Sequence, residues 1–128
     1  MFSAVLRLPF LEDFRQQVLL SDRGLEGEAQ WILIALAVVA APLFEEFIFR
    51  GLVYRGLRRS FRTSTSVLAS AVLFAIIHPP PSVLPVFVLG IATAISFERT
   101  GLLVAPIMAH ATYNAVMLAV SLWHPAGS

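Results

Sequence analysis

The chain has 128 residues, of which 58% are hydrophobic and 13% charged, and its formal net charge is +1. A water-soluble domain of this length needs more polar surface than that to cover itself, so the composition excludes an ordinary soluble domain and indicates a single membrane-embedded one. The sequence contains no cysteine, which excludes disulfides, thiolate metal ligands and a cysteine nucleophile. No nucleic-acid partner is expected for such a chain.

Residues 1–28 are predicted to form an amphipathic leader followed by a linker. Between Phe10 and Leu20 apolar residues recur at helical spacing among polar ones, which favours a helix lying in the membrane interface. A helix packed on a soluble partner domain is the alternative. Gly24 and Gly27 mark a polar turn after it. An arginine and a proline interrupt the first apolar stretch, so no cleavable signal peptide is predicted.

Residues 29–124 are predicted to form the membrane core, and residues 125–128 a tail. The prolines after His78 cannot continue a helix, so they divide the long uncharged stretch that follows Arg62 into two helices. The last helix is long enough to cross the hydrocarbon, whereas the first reaches that length only by continuing through three charged residues. The predicted fold is an all-α, polytopic transmembrane bundle. Its four membrane-embedded helices are expected at roughly 29–57, 63–78, 83–97 and 102–123.

Arginine residues gather in two of the predicted loops. Arg55, Arg58, Arg59 and Arg62 crowd the first inter-helix loop, and Arg99 lies in the third. The proline-rich second loop and the tail have neither lysine nor arginine. The positive-inside rule therefore predicts that the first and third loops face the cytoplasm, with lipid head-group contact as a secondary role of the arginines.

Polar residues within the apolar helices are the candidates for function, because a charged side chain at the membrane centre costs about 2.5–3.5 kcal/mol. Glu46 and Arg50 are spaced i, i+4 on the first helix, so they can form an ion pair that offsets much of this cost. Glu45, one position round the helix, has no such local partner. It is therefore the candidate general base.

Four polar residues on three helices are expected at a common depth. A rise of about 1.5 Å per residue, counted from the arginine-rich end, places Glu45 at about 20 Å and His78 at about 24 Å. The same rise places His110 at about 16 Å and Asn114 at about 22 Å. The latter two are also spaced i, i+4, so they can face one cavity. The sequence predicts one polar site inside the bilayer.

Three motifs occur in order on these helices: EExxxR at Glu45–Arg50, FxxxH at Phe74–His78 and HxxxN at His110–Asn114. In that order and spacing they resemble the CPBP family, the CAAX-protease and bacteriocin-processing (Abi) intramembrane proteases, which include the type II CAAX prenyl endopeptidases. The resemblance covers about residues 30–120. It implies an endopeptidase of a prokaryotic cell membrane that acts on a membrane-associated substrate, either prenylated and of the CAAX type or bacteriocin-like.

The resemblance also implies roles for the motif residues. Glu45 would activate the attacking water, with His78 helping to hold it. His110 and Asn114 would polarise the scissile carbonyl and stabilise its oxyanion, as hydrogen-bond donors aimed at developing charge do.

The other motif residues are expected to support the site without reacting. Glu46 and Arg50 would form a pair that fixes the first helix, and Phe74 would pack against the site wall. Between the motifs, Gly90 and Ala94 form a small-xxx-small pair, a pattern typical of a contact between helices.

Zinc is the alternative to a metal-free site. Glu45, His78 and His110 could supply three ligands and leave a fourth position for water. There is, however, no HExxH motif, and a glutamate mechanism without metal explains the asparagine of the third motif at least as well. No cofactor is therefore expected.

Members of the CPBP family usually have further membrane helices ahead of the first motif, where this sequence has only the leader. The expected partners are membrane lipid, a membrane-associated peptide or protein substrate, and either additional partner helices or a second copy of the chain. A non-enzymatic role in the same family, in bacteriocin immunity or scaffolding, is the alternative function. An ion or proton pathway is less favoured, because it would spread polar residues along a path instead of gathering them at one depth.

Overall fold

A computed structural model describes residues 28–123 of the chain. The predicted interfacial leader and the tail at 125–128 lie outside the described residues. Between Glu28 and Trp123 the chain is helical apart from short loops and contains no strand, which confirms the predicted all-α bundle.

The first span, Gln30–Arg58, is one continuous helical rod in which α and π segments alternate. The N–H of Ala41 donates to the carbonyl of Leu36, five residues back, which is the wide π register. The residue after Ala41 is Pro42, which has no N–H to donate. The hydrophobic pattern does not reveal such local changes of register, so the sequence predicted a uniform α-helix. The segments are α1 (Glu28–Ala35), a π segment (Leu36–Ala40), α2 (Ala41–Glu46), a second π segment (Phe47–Tyr54) and α3 (Arg55–Arg58).

The rest of the described chain forms α4 (Thr63–Ile76), α5 (Val83–Thr100) and α6 (Val104–Trp123). Helix α4 ends two residues before the predicted boundary, so His78 lies in the loop after the helix and not on it. Consecutive prolines follow, and the 3-10 turn Pro80–Ser82 leads into α5. Gly101 ends α5 in the left-handed conformation, with a φ of +67°, and its N–H donates to the carbonyl of Phe97 at 2.7 Å.

Three helices of the described residues are long and apolar enough to cross a membrane: the first span, Pro80–Thr100 and Val104–Trp123. Helix α4 is also apolar, but its 14 residues extend only about 21 Å, less than the hydrocarbon thickness of about 30 Å. Large apolar side chains cover the outside of the bundle, and Trp31 and Trp123 are 71% and 81% exposed. Such an exterior is stable only against lipid, so the protein is an integral membrane protein.

Among the described elements, helices α4 and α5 make the most extensive contact. A Cβ placed on Gly90 of α5 would lie 3.0 Å from Cα of Ala71 and 3.3 Å from Cδ1 of Phe74, both on α4. Ala94, one turn further on, is fully buried. The small-xxx-small pair therefore lets the two backbones approach closely, as the sequence predicted.

The arginine-rich end is held together by a polar cluster on three helices. Glu98 of α5 pairs with Arg58 at 3.1 Å and accepts a hydrogen bond from the hydroxyl of Tyr54. Thr63, the first residue of α4, donates to the same carboxylate at 3.4 Å. These contacts place the first and third loops at the same end of the bundle.

Candidate active site

A cavity of about 350 Å³ lies among the first span, α4, α5 and α6. The side chains singled out by the sequence, Glu45, His78, His110 and Asn114, all line it. They are joined by the ring of Tyr113. The rest of the wall is apolar and consists of Leu33, Leu36, Ala37, Ala41, Phe74, Leu89, Met117 and Leu118. The cavity thus combines a small polar group with an apolar surround, the usual composition of a ligand-binding pocket.

Glu45 faces two imidazole rings across the cavity. Its Oε2 lies 3.7 Å from Nε2 of His110 and 3.9 Å from Nε2 of His78. These separations are longer than a direct hydrogen bond, so the carboxylate is not locked to either ring. The Glu45 side chain is also 33% exposed, which leaves it open to a molecule entering the cavity.

His78 is oriented by the end of helix α4. Its Nδ1 lies 2.7 Å from the carbonyl oxygen of Phe74, and because a carbonyl only accepts, Nδ1 carries the proton in this bond. In the neutral ring, Nε2 then presents a lone pair toward Glu45. The fully buried ring of Phe74 packs edge-on against both His78 and His110, with centroid distances of 5.0 and 5.6 Å. Phe74 is therefore part of the cavity wall and contacts both imidazole rings.

Glu46 points away from the cavity and is fully buried. Its Oε2 lies 3.1 Å from Nε of Arg50, which is the ion pair expected from the i, i+4 spacing. Its Oε1 accepts a hydrogen bond of 2.8 Å from Nδ1 of His110. This second contact was missed by sequence reasoning, which treated Glu46 and Arg50 as a pair within one helix. The carboxylate in fact joins the first span to α6.

Arg50 carries the connection on to helix α5. Its Nη2 donates to the carbonyl of Gly90 at 2.6 Å and also to the hydroxyl of Thr93. Its guanidinium carbon lies 4.7 Å from the centroid of the Phe74 ring, within range of a cation–π contact. Neither α5 partner was predicted. The only signal for Thr93 in the sequence is a hydroxyl among apolar residues, which is common in membrane helices.

The side-chain amide of Asn114 uses one of its two protons in a hydrogen bond to the backbone of the first span. Its Nδ2 donates to the carbonyl of Ala37 at 2.9 Å. In the π register that Ala41 and Leu36 establish, the partner of that carbonyl would be the nitrogen of Pro42, which has no proton. Asn114 supplies the missing donor. The amide has a second proton, which remains for a ligand in the cavity.

The zinc alternative needs donor atoms that converge on one point. Imidazole and carboxylate are suitable donors, and the Nε2 atoms of His78 and His110 both face Glu45. Among residues 28–123, however, no group of three histidine, aspartate or glutamate side chains is arranged to hold a metal ion. A metal-free site stays a prediction.

The chain matches the family described as type II CAAX prenyl endopeptidase Rce1-like over residues 27–116. That range contains all three motifs and every polar residue of the cavity wall. Comparisons with curated proteins and with solved structures found no match. The family match covers well over half of the chain and confirms the resemblance drawn from the motifs. The protein therefore belongs to the Rce1-like family of type II CAAX prenyl endopeptidases, which are intramembrane proteases.

Proposed function

We propose that this protein is an endopeptidase that hydrolyses a peptide bond of a membrane-associated substrate with a water molecule activated by Glu45. The observation that carries the proposal is the placement of the Glu45 carboxylate 3.7 Å and 3.9 Å from two imidazole Nε2 atoms in an otherwise apolar cavity. Membership of the Rce1-like family supports the reaction class. The geometry supports the assignment of the base.

In the proposed reaction, Glu45 accepts a proton from water as the oxygen attacks the scissile carbonyl carbon. The bond between Phe74 and Nδ1 of His78 leaves Nε2 of that ring as an acceptor, which orients the same water. When the carbon–nitrogen bond breaks, the proton held by Glu45 goes to the leaving amine. Glu45 is thereby returned to its ionised form.

His110 and Asn114 are proposed to stabilise the oxyanion of the tetrahedral intermediate. Because Nδ1 of His110 is bonded to Glu46, its Nε2 donates only when both ring nitrogens carry protons. The buried carboxylate of Glu46 accepts the Nδ1 hydrogen bond and so orients the ring toward the cavity. The amide of Asn114 contributes the proton that Ala37 does not use.

The apolar character of the wall supports a substrate class. Most of the residues that line the cavity are apolar, and a volume of about 350 Å³ accommodates an apolar side chain or part of a lipid group beside the scissile bond. We propose prenylated peptides of the CAAX type as substrates.

The positive-inside rule favours a cytoplasmic location for the arginine-rich end.

The test is cleavage by the purified chain, in detergent and in liposomes, of prenylated membrane peptides and of the same peptides without the lipid. Products are identified by mass spectrometry. Glu45→Gln, prepared in parallel, controls for a contaminating protease, and we expect it to lower the rate by at least about 100-fold, as loss of a general base does. Equal cleavage by Glu45→Gln would rule out the assigned base. No cleavage of any peptide would favour a non-enzymatic role.

A further inference from the structure

Thr93 lies in the middle of α5, outside the three motifs and outside the cavity wall, with a fully buried side chain. Its hydroxyl donates its single proton to the carbonyl of Leu89 at 2.8 Å. The oxygen is left with lone pairs, and it accepts from Nη2 of Arg50. A guanidinium has donors but no acceptor, so this polarity is the one that the contact requires.

Few groups contact the buried guanidinium of Arg50. The residue is fully buried, and among the described residues its Nη1 has no hydrogen-bond acceptor. Its orientation is therefore set by Glu46, by the carbonyl of Gly90, by the Phe74 ring and by Thr93. Removing one acceptor from a buried charged donor costs more than removing one at a surface, because water cannot replace it.

The contacts form an unbroken series from α5 to the cavity. The hydroxyl of Thr93 accepts a hydrogen bond from Arg50, and Nε of Arg50 lies 3.1 Å from one carboxylate oxygen of Glu46. The other carboxylate oxygen of Glu46 accepts a hydrogen bond of 2.8 Å from Nδ1 of His110. The far nitrogen of that ring is the one that faces Glu45. A shift of the guanidinium is thus passed on to the imidazole through one rigid carboxylate.

We infer that Thr93 is a positioning residue of the site, which fixes the ring of His110 through Arg50 and Glu46. This inference deepens the proposed function and rests on it for its kinetic test. Since Thr93 does not touch the cavity, its loss affects the chemical step and leaves substrate binding unchanged.

The kinetic test compares Thr93→Val, which keeps the shape and removes the acceptor, with Thr93→Ser, which keeps the hydroxyl. We expect Thr93→Val to lower kcat about 10-fold with an unchanged KM, the size of effect that loss of a hydrogen bond to a charged group gives. Thr93→Ser should restore most of the rate. Thr112→Val is the matched control, because the Thr112 hydroxyl also bonds a carbonyl four residues back, at 2.7 Å, but is exposed on α6. It should behave as wild type.

A second measurement does not need activity. In protein labelled with ¹⁵N-histidine, with signals assigned by His110→Gln, the Nδ1 proton of His110 should exchange slowly with solvent in wild type and in Thr93→Ser. In Thr93→Val we expect exchange about 10-fold faster. If Thr93→Val does not fold, Thr93→Ala replaces it, since it also lacks the acceptor.

The two proposals can fail separately. A wild-type chain that cleaves no peptide would contradict the proposed function, while the exchange of the His110 proton would still decide the role of Thr93. Equal losses in Thr93→Val and Thr93→Ser would show a packing effect and overturn the inference. Wild-type kcat and wild-type exchange in Thr93→Val, or in Thr93→Ala where that variant replaces it, would overturn it as well.

Discussion

Glu46 and His110 are joined across the first span and α6 by a hydrogen bond of 2.8 Å, in which Nδ1 of the imidazole donates to Oε1 of the carboxylate. The other oxygen of Glu46 faces Arg50, so the carboxylate is enclosed on both sides. Glu45, the preceding residue, faces the cavity because consecutive side chains on a helix point in different directions. Two adjacent glutamates thus occupy opposite kinds of surroundings, one closed and paired, the other open to a substrate.

The first prediction separates these two residues by stability. Glu46→Gln should destabilise the protein by about 3–5 kcal/mol, because it leaves the buried guanidinium of Arg50 without its counter-charge. Glu45→Gln should leave stability near that of wild type, since Glu45 is partly exposed and its nearest imidazole nitrogen is 3.7 Å away. Unfolding in mixed micelles measures both. A stable, inactive Glu46→Gln together with an active Glu45→Gln would reverse the assignment.

The second prediction concerns the contact between α4 and α5. In Gly90→Ala the new Cβ would meet Cα of Ala71 at 3.0 Å, and this backbone atom cannot move aside alone. The helices must separate, which should cost about 1–3 kcal/mol and outweigh the gain of about 1 kcal/mol in helix propensity. It should also draw the Gly90 carbonyl away from Arg50 and lower kcat.

Gly56→Ala is the matched control for this helix contact. Gly56 is also helical, in α3, and nothing lies within 4 Å of a Cβ placed on it. This variant should therefore keep or raise the melting temperature. A Gly90→Ala protein as stable as Gly56→Ala would contradict the close-contact explanation.

The third prediction tests the link between Asn114 and the π segment. Asn114→Ala should destabilise the protein by about 1–3 kcal/mol, because the carbonyl of Ala37 loses its donor. Pro42→Ala supplies a backbone N–H that can serve the same carbonyl. In the Pro42→Ala background the loss of Asn114 should therefore cost about 1 kcal/mol less. A double-mutant cycle of unfolding free energies measures this coupling, and strictly additive losses would show that the two residues are independent.

That Glu45, His78, His110 and Asn114 line one cavity was predictable, because the rise of a helix per residue is known from the sequence alone. The motif spacing likewise predicted which side chains face the cavity. The bond from Asn114 to Ala37 was not predictable, because it depends on a change of helical register beside Pro42 that leaves the hydrophobic pattern unaltered. The partnership of Thr93 with Arg50 was also missed, since it depends on how closely α5 approaches the first span.

The fourth prediction concerns orientation in the membrane. The sequence has no cysteine, so a variant with one introduced cysteine has a single thiol that can be labelled. Ser60→Cys lies in the exposed first loop, and Pro81→Cys in the exposed loop at the other end of the bundle. An impermeant maleimide should label Ser60→Cys from the cytoplasmic side and Pro81→Cys from the opposite side. The reverse pattern would invert the orientation and place the His78 end of the cavity toward the cytoplasm.

The last prediction is that cleavage does not depend on zinc. A catalytic zinc ion uses three protein ligands and leaves one position for water, and it would stabilise the oxyanion as a Lewis acid. Among residues 28–123 no group of three histidine, aspartate or glutamate side chains is arranged to hold a metal ion, and His110 and Asn114 line the cavity where we propose that they stabilise the oxyanion. We therefore expect turnover to survive exhaustive chelation, and the purified protein to contain far less than one zinc per chain by mass spectrometry. Turnover that stops on chelation and returns with stoichiometric zinc would show that the water is activated by metal, with Nε2 of His110 as a ligand instead of an oxyanion donor.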